Sequence, residues 1–452
     1  MRRIFFLLFL LMLPMSALAE DQLPPLPQGP LLLTSVRPEQ LNPEYWINRL
    51  PTPDALIKTP QQIEELNRDI RAGLSNQVDI FALSAQRAGK PIADQIRLEY
   101  DTLKKRKLFD SGDKPVPDSI FESQIAPKLV LNKIPSQIKI KWGVAQAETP
   151  VRALPTMMKM IEGIGDYEFD QLQFTLIKVW TPIAIYHTSS DGQWYYIQAA
   201  YTRGWVRSRD IALFTSRDDM KKYVKDKPFL VVTGDYLFLR SQPQLRDGWI
   251  RVSMGTVLPI AGQTSNVYEL FVPRRGENGQ VIMKRAYAAK EMDVHVGFLP
   301  YTQRNIITQA FKLLGARYGW AGMYKGRDCS GFLQDVYLPF GIDMPRSSRS
   351  QGFAGTQLNV FKKFSQTEEK ELTLDGAVPA VTILRMPSHM MIYLGKENGH
   401  YYVIHSTWAE RYSMTSDAKN RINQVVVSDL ELNGKSRIGS LFERIIQISA
   451  VD

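Results

Sequence analysis

One cysteine, Cys329, stands in 452 residues. A single thiol excludes a disulfide within the chain. Histidine is scarce as well, with five at 187, 295, 389, 400 and 405, and these show no ligand spacing that would hold structural zinc or another metal. No concentrated basic arm accompanies the formal charge of +10, which argues against nucleic acid as a partner. Long apolar runs are missing too, apart from one in "MRRIFFLLFLLMLPMSALAEDQ". There Arg2 and Arg3 form a positive n-region, Ile4 to Leu13 an apolar core, and Ala17-Leu18-Ala19 a small-x-small cleavage site. Residues 1–19 therefore read as a secretory signal peptide, too short for a permanent span. No cysteine at the cleavage site offers a lipid anchor. The expectation is an exported chain starting near Glu20 with no stable membrane anchor, periplasmic, or else secreted or wall-associated.

Export sharpens the question of Cys329. In an oxidising compartment a lone thiol is either buried or reactive. The basic excess, lowered by two when Arg2 and Arg3 are removed, suits anionic envelope polymers or is simply a solvated surface.

A chain this long divides into several domains. Residues 20–135 read as a mainly helical segment that braces the rest. In "KTPQQIEELNRDIRAG", Thr59 is a natural N-cap, Pro60 sits at the first helical position and Gly73 marks the end. A second helix is expected from about Pro91. Residues 136–220 and 221–299 are short β-branched and aromatic runs broken by turn signals, such as Asp191-Gly192 and "GENGQ", and suggest two small all-β barrels. The aromatics of the first barrel (Trp180, Trp194, Tyr195, Tyr196, Tyr201, Trp205) are expected mostly in its core. From 300 to 452 helices come first and strands after, an α+β plan.

Chemistry concentrates in that last stretch. A helical pattern begins at Ser330 or Gly331, placing Cys329 at a helix start, where a thiol near a basic group ionises more easily. Of the histidines, His187 and His295 fall in the barrels and His400 beside a hairpin turn, leaving His389 and His405. If the hairpin loop is Gly395 to Gly399, the two stand directly opposed on one face. If the turn is the two-residue Asn398-Gly399, they fall on opposite faces. A catalytic pair therefore requires the longer loop or a bulge. Given that pairing, His389 takes the proton of Cys329, and His405 holds the far ring nitrogen. The backbone N–H of Cys329 and the hydroxyl of Tyr318 are the candidate oxyanion donors.

"RYGWAG" followed by "RDCSGF", then "SHMMIYLG" and "YYVIHSTW", resembles the NlpC-type family of cell-wall cysteine peptidases over about residues 300–450. The "GWV" strand and "VRALPT" loop resemble bacterial SH3-like domains attached to such enzymes. The resemblance implies a papain-like catalytic domain, two SH3-like barrels and a helical N-terminal segment. It implies an enzyme cutting γ-D-glutamyl-diamino acid bonds of peptidoglycan stem peptides or muropeptides; a monomer that needs no cofactor is expected. Cys329, His389 and His405 carry over as the triad, Tyr318 as oxyanion donor, and Asp328, Ser330, Trp320 and Arg346 as substrate contacts. Four positions depart. Ala321 replaces a glycine. Met390 and Met391 replace small residues and are expected to narrow the groove. Ser347 stands where relatives requiring a free N-terminal L-alanine often carry an acid. An inactive wall-binding scaffold, and an amidase or acyltransferase with the same Cys-His machinery, are the alternatives.

Overall fold

The computed structural model describes residues 29–246, 248–362 and 367–452. The expected signal peptide lies outside the described residues. Among them no helix is long and apolar enough to cross a membrane.

Two seven-stranded antiparallel sheets occupy the middle of the chain. The first takes strands from Lys141–Ala145 to Ile211–Phe214, and the second from Phe229–Val232 to Val294–Val296. They are SH3-like β domains. Strand Trp194–Gln198 is buried at every position. Its Tyr195 and Ile197 face the interior of the first sheet, and its Trp194 and Tyr196 join Ile92 and Ile96 of the Gly89–Lys104 helix. A strand covered on both faces has no polar side to show. Trp180 and Trp205 are buried as well, and Tyr201 half-buried, so the aromatics of this domain are chiefly core. In the second sheet, Tyr236–Arg240 alternates exposed and buried, Leu237 and Leu239 pointing inward.

The C-terminal α+β domain sets the Cys329–Tyr337 helix against a six-stranded antiparallel sheet. The spatial order is Thr356–Val360, Gln447–Ala450, Thr382–Met386, His389–Glu397, His400–Arg411, Lys419–Asp429. The segment ahead of the helix lines the last edge, through Gly315 N–H to Val425 O (2.9 Å) and Tyr318 N–H to Asn423 O (2.9 Å). This edge pairing puts Tyr318, Cys329 and the two strand histidines at one end of the sheet.

The N-terminal segment does two jobs where the sequence suggested one. Leu33, Val36, Trp46, Ile47, Ile63, Leu66 and Ile70 belong to the same core as Phe332 and Val336 of the Cys329 helix. Ile80, Ile92, Ile96 and Leu129 pack on the barrels instead. Helix Pro60–Gly73 opens with a capping box between Thr59 and Gln62. Trp46 donates its indole N–H to Gln40 O (2.9 Å) and tilts against Tyr402, ring centroids 5.3 Å apart.

Candidate active site

Cys329 is the first residue of its helix and is 7 % exposed. Asp328 caps the helix, accepting from the N–H of Gly331 (2.8 Å). The thiol points at the carbonyl of Ser388, Sγ to O 3.7 Å. Ser388 sits at φ 61° in the tight turn leading to His389, so the turn presents that carbonyl and then the imidazole to the helix start. Among the described residues no hydrogen bond joins Sγ to the His389 ring. Resting enzymes often close this contact only when substrate is bound.

The hairpin carrying the histidines combines the two registers the sequence left open. Its turn is Asn398-Gly399, both at positive φ (49° and 83°), with Glu397 opposite His400 and Gly395 opposite Tyr402. That register alone would separate the rings. A bulge at Leu394 then shifts the pairing by one, to Tyr393 opposite Val403 and Ile392 opposite Ile404. Continuing it sets His405 opposite Met391, two residues from His389 on the same face. The histidines are therefore diagonal neighbours, and the direct opposition that a five-residue loop gives does not occur. His389 Nε2 lies 2.7 Å from His405 Nδ1, and His405 Nε2 lies 3.1 Å from Ser428 Oγ. A catalytic base at His389 selects one of the two tautomer sets this row admits: His389 Nε2–H donates to His405 Nδ1, and His405 Nε2–H donates to Ser428. His389 Nδ1 is then left as the free base.

Burial governs the electrostatics. It pushes the Cys329 thiol up to about 12, and the neighbouring Asp328 charge adds to the rise. The expected lowering at a helix start is thus overridden, although the N–H groups of Met390 and Ser330 and the Arg346 charge favour the thiolate. Burial drops His389 to about 4, with the Arg444 charge in the same direction. His405, fully buried, falls well below its usual value, first by burial and then by the facing His389. The resting pair is a neutral thiol beside a neutral imidazole.

The remaining residues singled out from sequence fall into two groups. Tyr318 stays by the thiol: burial, then the charges of Asp328 and Cys329, raise its phenol and keep it a proton donor. The N–H of Cys329, at the first helical position, has no intrahelical acceptor. Asp328, Ser330 and Arg346, by contrast, close on one another. Arg346 forks onto Asp328 (3.1 and 2.6 Å) and donates to Ser330 Oγ (2.7 Å) and Thr175 Oγ1 of the first barrel (2.8 Å). Burial alone would raise the Asp328 carboxyl; the Arg346 charge wins and holds it below the usual range. Trp320 donates to Asp170 O of the first barrel (3.1 Å). Met390 and Met391 are fully buried and fill the core, so they do not narrow the groove. Ala321 holds φ 51°, a conformation that favours glycine, and its N–H is tied to Asp328 Oδ2 (2.9 Å). Ser347 caps the short Ser348–Gln351 helix.

Several residues at the site gave no sequence signal. Phe169, in a loop of the first barrel, stands edge-on to Trp320 (5.4 Å) and Trp408 (5.1 Å). Beside it Glu168 takes the Trp408 indole N–H (2.5 Å) and pairs with Arg421. Ser428 ends the histidine row. None of these lies in a local motif, since each meets the site only through the tertiary fold.

Residues 315–429 match the NlpC/P60 family, and residues 162–207 match the SH3 domain of the SH3b1 type. The chain carries an NlpC/P60 domain. All three residues of the Cys329, His389 and His405 constellation fall inside it. The gamma-D-glutamyl-L-lysine dipeptidyl-peptidase of Bacillus cereus is 27 % identical over 191 residues, 41 % of this chain. The match spans about half (52 %) of that relative's length. A solved NlpC/P60 endopeptidase from Photobacterium damselae subsp. piscicida superposes with a TM-score of 0.74 at 19 % identity. That match covers 94 % of this chain and 99 % of the other, so the fold beyond the NlpC/P60 domain is shared too.

Proposed function

We propose that the protein is an exported cysteine endopeptidase that hydrolyses γ-D-glutamyl-diamino acid bonds in peptidoglycan stem peptides through an acyl-enzyme. The observation that carries this is the Cys329 helix start facing a histidine row closed by Ser428 (2.7 and 3.1 Å). The B. cereus relative's γ-D-glutamyl-L-lysine specificity supports the bond class.

The thiol proton passes from Sγ to His389 Nδ1 as sulfur bonds to the γ-carbonyl carbon of D-glutamate. The carbonyl oxygen becomes an oxyanion, received by the Cys329 N–H and the Tyr318 hydroxyl. His389 then protonates the amine nitrogen as its bond to carbon breaks, leaving a thioester on Cys329. A water, deprotonated by His389, attacks the thioester. The new carboxylate leaves and the thiol regains its proton. His405 keeps Nδ1 of His389 directed at the sulfur throughout, the service an Asp or Asn renders in other triads.

Phe169 of the first barrel packs on Tyr318 (6.5 Å) and Trp320 (5.4 Å), which supports short stem fragments as substrate over intact wall. Mass spectrometry of digests tests both parts. Free L-Ala-γ-D-Glu-diaminopimelate and muropeptides with the same stem are offered to the mature protein and to Cys329→Ala. Release of the diamino acid, absent in the variant, is the expected product, with the free tripeptide the better substrate. Products from another bond make it an amidase or acyltransferase. No product from either substrate leaves a wall-binding scaffold.

A further inference from the structure

Immediately before the cap and nucleophile stands Arg327, a cation 6 % exposed. Its guanidinium reaches out of the catalytic domain. Nη1 donates to Asp235 Oδ1 and Nη2 to Asp235 O (2.9 Å), both in the second barrel. Nε donates to Asp335 Oδ2 (2.6 Å), within the Cys329 helix itself. The other oxygen of Asp335 receives Lys178 of the first barrel (2.8 Å), which also donates to Ser253 of the second (2.9 Å). Four charges from three domains thus meet as Asp235–Arg327–Asp335–Lys178.

The backbone of the same residue ties the catalytic segments together. Arg327 N–H donates to Arg317 O (3.1 Å), next to Tyr318. Its carbonyl accepts the hydroxyl of Ser406 (2.7 Å), next to His405. One residue therefore touches the neighbours of the oxyanion donor, the nucleophile and the orienting histidine, while its side chain is anchored in another domain. A lysine could not replace it, since the bonds to Asp235 and Asp335 use three nitrogens of a rigid fork.

From this geometry we infer that Asp235 and Arg327 are positioning residues: the second barrel sets the register of the Cys329 helix start against His389 through their ion pair. The inference rests on the peptidase reading for its kinetic consequence but not for its structural one. Breaking the pair frees the helix start to shift, and a shift of about 1 Å at a reacting atom costs up to about 10²-fold. The loss falls on kcat, because the pair acts on the position of the reacting sulfur.

The test compares Asp235→Asn and Asp235→Glu with Glu148→Gln. Glu148 pairs with Arg251 between the two barrels (2.7 Å) and, among the described residues, makes no hydrogen bond or ion pair to the catalytic segment, so its variant controls for general loosening of the domain contacts. In each full-length protein kcat and KM on the stem tripeptide are measured, and separately the rate at which iodoacetamide alkylates Cys329, the sole thiol. Expected for Asp235→Asn are a fall in kcat of about tenfold or more with KM within about twofold, and an altered alkylation rate. Asp235→Glu, which retains the charge, recovers most of the loss, and Glu148→Gln matches the parent in both assays. Unchanged kcat and alkylation in Asp235→Asn overturn the inference. So does an equal loss in Glu148→Gln, or a loss confined to KM. If the parent cleaves nothing, the peptidase reading fails by itself, and the alkylation rates still decide whether Asp235 positions the thiol.

Discussion

His389 Nε2 and His405 Nδ1 approach to 2.7 Å across a hairpin whose two-residue turn would by itself point them to opposite faces. The bulge at Leu394 reverses that parity. Because side chains alternate along a strand with a period of two, one extra residue moves the whole far half of the strand to the other face. The backbone irregularity is thus what makes the pair.

The first expectation concerns His405. Its ring is fully buried and does nothing visible except hold Nε2 of His389 and bond Ser428. Replacing it by Ala should lower kcat by about 10²-fold or more with little change in KM, since the base loses its fixed tautomer. His405→Asn, whose amide can still accept, should lose less. Steady-state kinetics on the stem tripeptide read both. A loss in KM alone would mean that His405 serves binding.

Activity should persist into acid. Burial and the Arg444 charge lower His389 to about 4 from an ordinary 6.5. A depressed histidine stays neutral, and so able to take the thiol proton, until the pH falls through the lowered value. The acid limb of kcat/KM should therefore sit nearer 4 than 6.5. A midpoint at the ordinary value in a pH–rate profile would mean a solvated ring.

Asp328→Ala and Arg346→Ala should each destabilise the protein by about 3 kcal/mol, because each leaves the other's charge buried and unpaired. The folded Asp328 carboxyl is held below its usual range by Arg346 against the cost of burial. Its contribution is therefore present above the ordinary carboxylate range and fades as pH falls through the folded value. Urea midpoints at neutral and acid pH test this: the gap between parent and Asp328→Ala should shrink in acid.

Trp46→Ala should cost about 3–5 kcal/mol, the usual price of emptying a buried indole site. The residue is 2 % exposed and belongs to the core that includes the Cys329 helix. Thermal unfolding followed by Cys329 alkylation should show the thiol exposed at lower temperature than in the parent. Unfolding of other regions with the thiol still protected would place Trp46 outside the catalytic core.

What the sequence revealed and what it hid divide along the range of the interactions. The helix start at Cys329, the capping at Thr59 and the strand aromatics of the first barrel are set by near neighbours, and local pattern shows them. The Leu394 bulge is a choice between registers of similar local merit, decided by packing on both faces. The closure of Arg346 on Asp328 and Ser330, which withdraws their polar atoms from a groove, depends on Thr175 from a different domain. So does the place of Phe169. The thiol's raised pKa is likewise a burial effect, opposed to the local helix-start signal.

Rapid-quench mass spectrometry of the intact protein during turnover tests the nucleophile most directly. The parent mixed with stem tripeptide should gain, within the first turnover, the mass of the L-Ala-γ-D-Glu acyl group, mapped to the peptide containing Cys329. Cys329→Ala should gain nothing and release nothing. Product release by Cys329→Ala, or acylation of the parent at any other residue, would contradict the assignment.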